Sequence, residues 1–247
     1  MYSNPPEGDP IPEDSKAVQK RPAVPNRWLL LGLILLAGFL IITGLVVSGV
    51  TQGFDAWLAL FINNMAIGSS LNSLMVLASK YGREYFWIPV VGLMLLFGKR
   101  DTKMLAIELC VLFVAGIIAG EAMKHAMYRA RPFETLTSII RRVPVDTDSS
   151  YPSGHALIVS IGAIFSLAKF RRKSIALLMA LEAAIVCYSR VYVGAHYPLD
   201  IVSGIFLGGF IVFAGTFVLE RSSYLKRVVN AFTNFAQKML RGGLVSI

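Results

Sequence analysis

Long apolar stretches separated by short, basic segments set the pattern of this chain. Trp28–Val50 runs 23 residues without a charge. At about 1.5 Å per residue, that crosses a hydrocarbon core of about 30 Å. Large apolar residues then recur at 54, 57, 58, 61, 62 and 65, one helical face, with Asp55, Asn63 and Asn64 placed elsewhere. Leu71, Leu74, Met75 and Ala78 make a second such face after Gly68-Ser69-Ser70. Both are expected to be short helices at the membrane interface or tucked against the bundle. Tyr85–Gly98, closed by Lys99-Arg100, is too short to span alone, so its helix is expected to begin near Ser79 with Arg83 and Glu84 at headgroup level. Met104–Met123 spans with Glu108 inside it. After the polar stretch from Arg129 to Ser153, a helix runs from Gly154 to Ala168 and stops at the cluster Lys169–Lys173. Ser174–Ser189 returns, and Pro198 or Leu199 opens a final run to Leu219. The pattern predicts an all-α, polytopic membrane protein with six transmembrane helices and short interfacial helices between spans 1 and 2.

A seventh span over Ala56–Ser79 is long enough, but Asn63, Asn64 and Asn72 make it a poor lipid-facing helix. With six spans the positive-inside rule places both termini in the cytosol, together with Lys99, Arg100, Lys103 and the Lys169–Lys173 cluster. The expected organisation is a disordered cytosolic tail (1–27), a six-span catalytic membrane domain (28–222) and a basic cytosolic tail (223–247). The first 27 residues are too polar for a signal peptide.

Composition agrees with this class: 55% of residues are hydrophobic and only 16% charged, against about 25% charged in soluble domains. The net charge of +9 is dispersed between apolar runs, with no block suited to nucleic acid. It suits anionic lipid and a topology signal. Cys110 and Cys187 lie within apolar segments and read as buried free thiols.

Only three histidines occur, and two stand in patterned settings. His155 closes Pro152-Ser153-Gly154-His155, where Ser153 is a good N-cap and the first helical amides favour an anion. His196 and Asp200 are four residues apart and share a face if the last helix starts near His196. Lys124, Arg131 and Arg190 end spans or follow them at the same level, so three cations converge as an oxyanion clamp. The chemistry then divides among named residues: His196 attacks phosphorus, Asp200 orients it, and His155 protonates the departing oxygen. No Cys/His/Asp cluster has metal-ligand spacing, and neither metal nor cofactor is expected. His125 matches no part of this pattern and reads as interfacial. Arg129, Arg141 and Arg142 read as surface cations near lipid headgroups or a distal phosphate. Glu108 and Glu182 are intramembrane carboxylates that call for partners.

Lys124-x6-Arg131-Pro132, Pro152-Ser153-Gly154-His155 and Ser189-Arg190-x5-His196-x3-Asp200 together resemble the three-part signature of the type 2 phosphatidic acid phosphatase superfamily. That superfamily also includes vanadium-dependent haloperoxidases and bacterial undecaprenyl-pyrophosphate phosphatases. The resemblance implies a phosphohistidine intermediate on His196 and general acid catalysis by His155. It also implies phosphate contacts from Lys124, Arg131, Ser153, Gly154 and Arg190, on the extracytoplasmic side. The expected function is metal-independent hydrolysis of a phosphate monoester or diphosphate on an amphiphilic membrane lipid. A phosphoryl transferase and a non-catalytic lipid-binding or lipid-moving protein are the alternatives. Neither the lipid nor the oligomeric state follows from the sequence.

Overall fold

The computed structural model describes residues 25–144 and 146–222, together with residues 227, 231 and 234. The two expected tails therefore fall largely outside the described residues. Nine helices and no strand occur among the described residues: α1 (Arg27–Val47), α2 (Gln52–Asn63), α3 (Gly68–Tyr81), α4 (Glu84–Phe97), α5 (Arg100–Ala126), α6 (Pro132–Thr135), α7 (Gly154–Lys169), α8 (Lys173–Tyr192) and α9 (Pro198–Arg221).

The expectation of six transmembrane helices is corrected. Among the described residues, four helices are long and apolar enough to cross a bilayer: α1, α5, α8 and α9. The helix expected to start near Ser79 is instead two helices, because the chain breaks at Gly82-Arg83 and Ser79 ends up inside α3. A Cβ on Gly82 would stand 2.2 Å from Cγ2 of Val186 on α8, so this corner is pinned by packing. What remains, α4, has 14 residues, about 21 Å at helical rise. The 16-residue α7 reaches only about 24 Å. Its apolarity has another cause: ten of its residues are buried within the protein, so it is the hydrophobic centre of the bundle and not a lipid-facing rod.

Around α7 pack α5, α8 and α9, with α1 laid along α9. Small residues permit the closest approach. A Cβ at Gly204 of α9 would meet the Ser153 carbonyl at 2.9 Å, and one at Gly208 would meet the Leu157 carbonyl at 3.0 Å. Such contacts let two backbones approach closely in an apolar setting. Leu157, Ile161, Phe165, Val186 and Val212 fill the interior. Leu30, Leu31, Ile34, Ile118 and Leu178, on the outer faces of the long helices, are exposed.

One end of the bundle is tied by Lys169, which pairs with Glu220 and lies 3.8 Å from Glu108. Its Nζ also sits 5.5 Å from the centre of the Trp28 ring. The start of α1, the N-terminal part of α5 and the ends of α7 and α9 therefore share that end. The C-terminus of α5, the N-terminus of α7, the C-terminus of α8 and the N-terminus of α9 meet at the other, where the functional motifs lie. Both cysteines are free.

Candidate active site

Helix α7 starts at Ser153, whose side chain accepts from the Ala156 amide at 3.4 Å. The amides of a first helical turn lack intrahelical acceptors, and the helix dipole makes that end attractive to anions. The Ser153 amide in turn donates to the Asp200 carbonyl at 3.0 Å. The start of α7 is thus fastened to the start of α9.

His196 is delivered by a tight turn after α8. Gly194 takes φ +79°, a left-handed conformation that glycine adopts without cost. A side chain there would also meet the Ile140 carbonyl at 3.1 Å and Asn63 Nδ2 at 3.3 Å. The amides of Ala195 and His196 both donate to the Arg190 carbonyl, at 3.1 and 3.2 Å. Asn63 of α2, fully buried, ties the turn to the preceding loop. Its Nδ2 donates to the carbonyls of Ile140 (2.9 Å) and Tyr192 (2.8 Å), and its Oδ1 accepts from the Ile140 amide at 2.7 Å.

A cavity of about 420 Å³ opens at this end of the bundle, lined by Lys124, Arg131, Gly154, His155, Arg190 and His196. The three cations are fixed by neighbours. Arg190 Nη1 donates to Ser79 Oγ at 2.7 Å, and Arg131 Nη1 donates to the Ala195 carbonyl at 3.0 Å. Lys124 pairs with Asp148 and stands 3.5 Å from Glu121. Arg131 Nη1 also comes within 3.4 Å of His196 Nε2, which marks that ring nitrogen as the one facing the anion site.

Ser153 and Asp200 do not line the cavity and are fully buried behind it. His196 Nδ1 lies 2.8 Å from the Ser150 carbonyl and 3.6 Å from Asp200. The carbonyl is the nearest acceptor, with Ser150 Oγ farther off at 3.5 Å, and it selects the tautomer that leaves Nε2 unprotonated. Asp200 instead accepts from the Ser150 hydroxyl, from the Tyr197 amide at 2.9 Å and from Arg129 Nη1. Burial holds the His196 imidazole well below its ordinary range, and the facing Arg190 and Arg131 push it further the same way.

Four features of the site escaped the reading of the sequence. Arg129 is an internal residue: Nη1 serves Asp200 and Nη2 donates to Asp55 Oδ2 at 2.6 Å, while the guanidinium lies 4.0 Å from the centre of the Tyr197 ring. Asp55 closes the network by accepting from the Leu199 amide at 2.9 Å. Asp146 and Asp148 lie over the clamp, with Asp148 pairing Lys124 and Arg131, and Asp146 standing 3.4 Å from Arg190. Partial burial works against the Asp148 charge, but hydrogen bonds from Lys124 and Arg131 carry its carboxyl down to about 2. Arg83, expected at headgroup level, lines the cavity. No local pattern in the sequence pointed to these pairings. His125 is exposed, apart from the cavity. No group of three His, Cys, Asp or Glu side chains suited to a metal occurs among the described residues.

The family model described as the PAP2 superfamily matches residues 105–223. An undecaprenyl-diphosphatase of Sulfolobus acidocaldarius is 42% identical over 201 residues, which cover 81% of this chain and 94% of that protein. The undecaprenyl-diphosphatase BcrC of Bacillus subtilis is 26% identical over 59% of this chain and 75% of its own. Among solved structures, the PAP2 type phosphatidylglycerolphosphate phosphatase of Bacillus subtilis superposes with a TM-score of 0.65 at 20% identity, covering 78% of this chain and 98% of the other. Aquifex aeolicus LpxE gives a TM-score of 0.54 at 24% identity, covering 64% and 92%. These two likenesses concern the fold.

Proposed function

Because this chain belongs to the PAP2 superfamily and is a membrane lipid phosphatase, we propose that it removes the terminal phosphate of a prenyl diphosphate through a phosphohistidine on His196. The observation that carries this reading is the single cavity that collects His196, His155, Lys124, Arg131, Arg190 and Gly154 at one end of an apolar bundle. The choice of a diphosphate is supported by the 42%-identical undecaprenyl-diphosphatase.

The steps follow from the geometry. The His196 Nε2 lone pair attacks the terminal phosphorus, helped by the Ser150 carbonyl at Nδ1–H. The bond from phosphorus to the bridging oxygen breaks, its electron pair stays on that oxygen, and His155 supplies a proton there. Lys124, Arg131, Arg190 and the first-turn amides of α7 stabilise the charge on the equatorial oxygens. Water then gives up a proton to His155 and attacks phosphorus, the P–N bond breaks, and its pair returns to Nε2. The products are inorganic phosphate and the lipid monophosphate.

The active site lies on the extracytoplasmic face in this reading. Lys169 and the following basic cluster mark the opposite end of the bundle, and the positive-inside rule puts such an end in the cytosol. The described bundle begins and ends there as well, with Arg221 Nη2 2.5 Å from Asn26 Oδ1, so in this reading both ends of the described bundle face the cytosol.

Phosphate release by the purified protein in detergent with EDTA tests the reading, using a prenyl diphosphate, phosphatidic acid and phosphatidylglycerol phosphate. His196→Ala abolishes release, and the diphosphate is the fastest substrate. Release that survives His196→Ala assigns the nucleophile elsewhere, and a faster phospholipid substrate removes the prenyl assignment.

A further inference from the structure

A fourth cation, Arg83, shares the cavity with Lys124, Arg131 and Arg190. It sits in the break between α3 and α4, with φ −90° and ψ −86°, outside helical geometry. The guanidinium reaches the start of α7: Nη1 lies 3.4 Å from the point a Cβ on Gly154 would occupy, and Lys124 Nζ lies 3.8 Å from that point. Nη2 pairs with Glu84, while Nε is buried without a hydrogen-bond partner. A buried, unmet donor on a charged group is costly, and such groups usually answer to a ligand or a mechanism.

We propose that Arg83 forms a subsite for the inner, leaving phosphate of a diphosphate ester. The inference rests on the phosphohistidine reading above and extends it to the half of the substrate that departs. The leaving oxygen must face its proton donor, His155, so whatever that oxygen is bonded to lies on the His155 side of the cavity. Gly154 directly precedes His155, and Arg83 stands against Gly154. When the bond from phosphorus to the bridging oxygen breaks, its electron pair adds negative charge to the inner phosphate. A guanidinium there stabilises the transition state more than the ground state. A monophosphate ester places only an alcohol oxygen and its alkyl chain in this position. Arg83 is therefore a specificity-determining residue for diphosphates.

The test compares phosphate release from farnesyl diphosphate and farnesyl monophosphate by the full-length protein in detergent, as wild type, Arg83→Gln and Arg83→Lys. The ratio of kcat/KM for diphosphate over monophosphate falls about tenfold in Arg83→Gln, the scale of one charge-assisted hydrogen bond, and recovers partly in Arg83→Lys. An unchanged ratio, including equal loss on both substrates, overturns the subsite and leaves the phosphohistidine reading intact. Wild-type release from the monophosphate alone overturns the diphosphate assignment and the subsite with it. Should Arg83→Gln not fold, competitive inhibition by methylenediphosphonate against orthophosphate decides between wild type and Arg83→Lys. The preference for the diphosphonate shrinks in the lysine variant, and an unaltered preference overturns the proposal.

Discussion

Asp200 stands 3.6 Å from Nδ1 of His196, while the Ser150 carbonyl occupies the hydrogen-bonding position at 2.8 Å. The tautomer of the proposed nucleophile is held by backbone, and the carboxylate acts one layer behind it. Asp200→Asn is therefore expected to lower kcat by about 10- to 100-fold. Where a carboxylate is itself the direct acceptor, the loss is roughly 10⁴-fold. Steady-state kinetics on purified Asp200→Asn checks this, and a loss as large as that of His196→Ala contradicts it.

Arg129 joins Asp55 and Asp200, two fully buried carboxylates. Removing the cation strands both charges, and breaking a buried pair from one side costs about 3–5 kcal/mol. Arg129→Ala is expected to lower the Tm in detergent by several degrees or to prevent folding. Asp55→Asn is milder, because Arg129 keeps Asp200. Thermal unfolding of the two variants side by side gives the order.

The α7–α9 contact at Gly204 aligns the two histidine-bearing segments. Gly204→Ala forces the Ser153 carbonyl away, since its Cβ would lie only 2.9 Å from that oxygen. Overpacking of this kind costs about 1–3 kcal/mol, and shifts near 1 Å can lower the rate on the order of 100-fold. Activity is expected to fall more steeply than Tm. Equal kcat in variant and wild type would show that α7 has slack at its start.

The His196 imidazole is kept neutral by burial and by Arg190 and Arg131. Its folded-state value is depressed, so only the unfolded chain takes up a proton as pH falls below about 6.5. The contribution to stability is complete above that pH and is lost below it, at about 1.4 kcal/mol per pH unit. Unfolding free energy measured between pH 7 and 5 should have a shallower slope in His196→Gln than in wild type. An identical slope would mean that the ring titrates alike in the folded and the unfolded chain.

Six cavity-lining residues could be named from sequence because each carries its own local signal. Ser153-Gly154-His155 announces a helix start with free amides, and Arg190 and His196 flank a turn between two apolar runs. Lys124 closes an apolar run, and Arg131 follows it seven residues later, directly before Pro132. All-α membrane architecture followed from the same contrast between long apolar stretches and their basic punctuation.

Tertiary structure alone decided what those residues lean on. Hydropathy measures removal from water and does not distinguish lipid from protein as the new surroundings, so the buried α7 read as a span. At the Gly82-Arg83 break a side chain on Gly82 would meet Val186, more than a hundred residues away, and the arginine expected at headgroup level lines the cavity. Arg129 read as a surface cation because its partners, Asp55 and Asp200, are 74 and 71 residues distant. His196 and Asp200 stand 3.6 Å apart, but α9 begins at Pro198, so His196 lies in the turn before the helix and not on its face. The Ser150 carbonyl that takes the hydrogen bond belongs to a loop 46 residues earlier. Local chemistry is written in neighbouring residues, whereas compensation of a buried charge is set by whichever segment the fold brings against it.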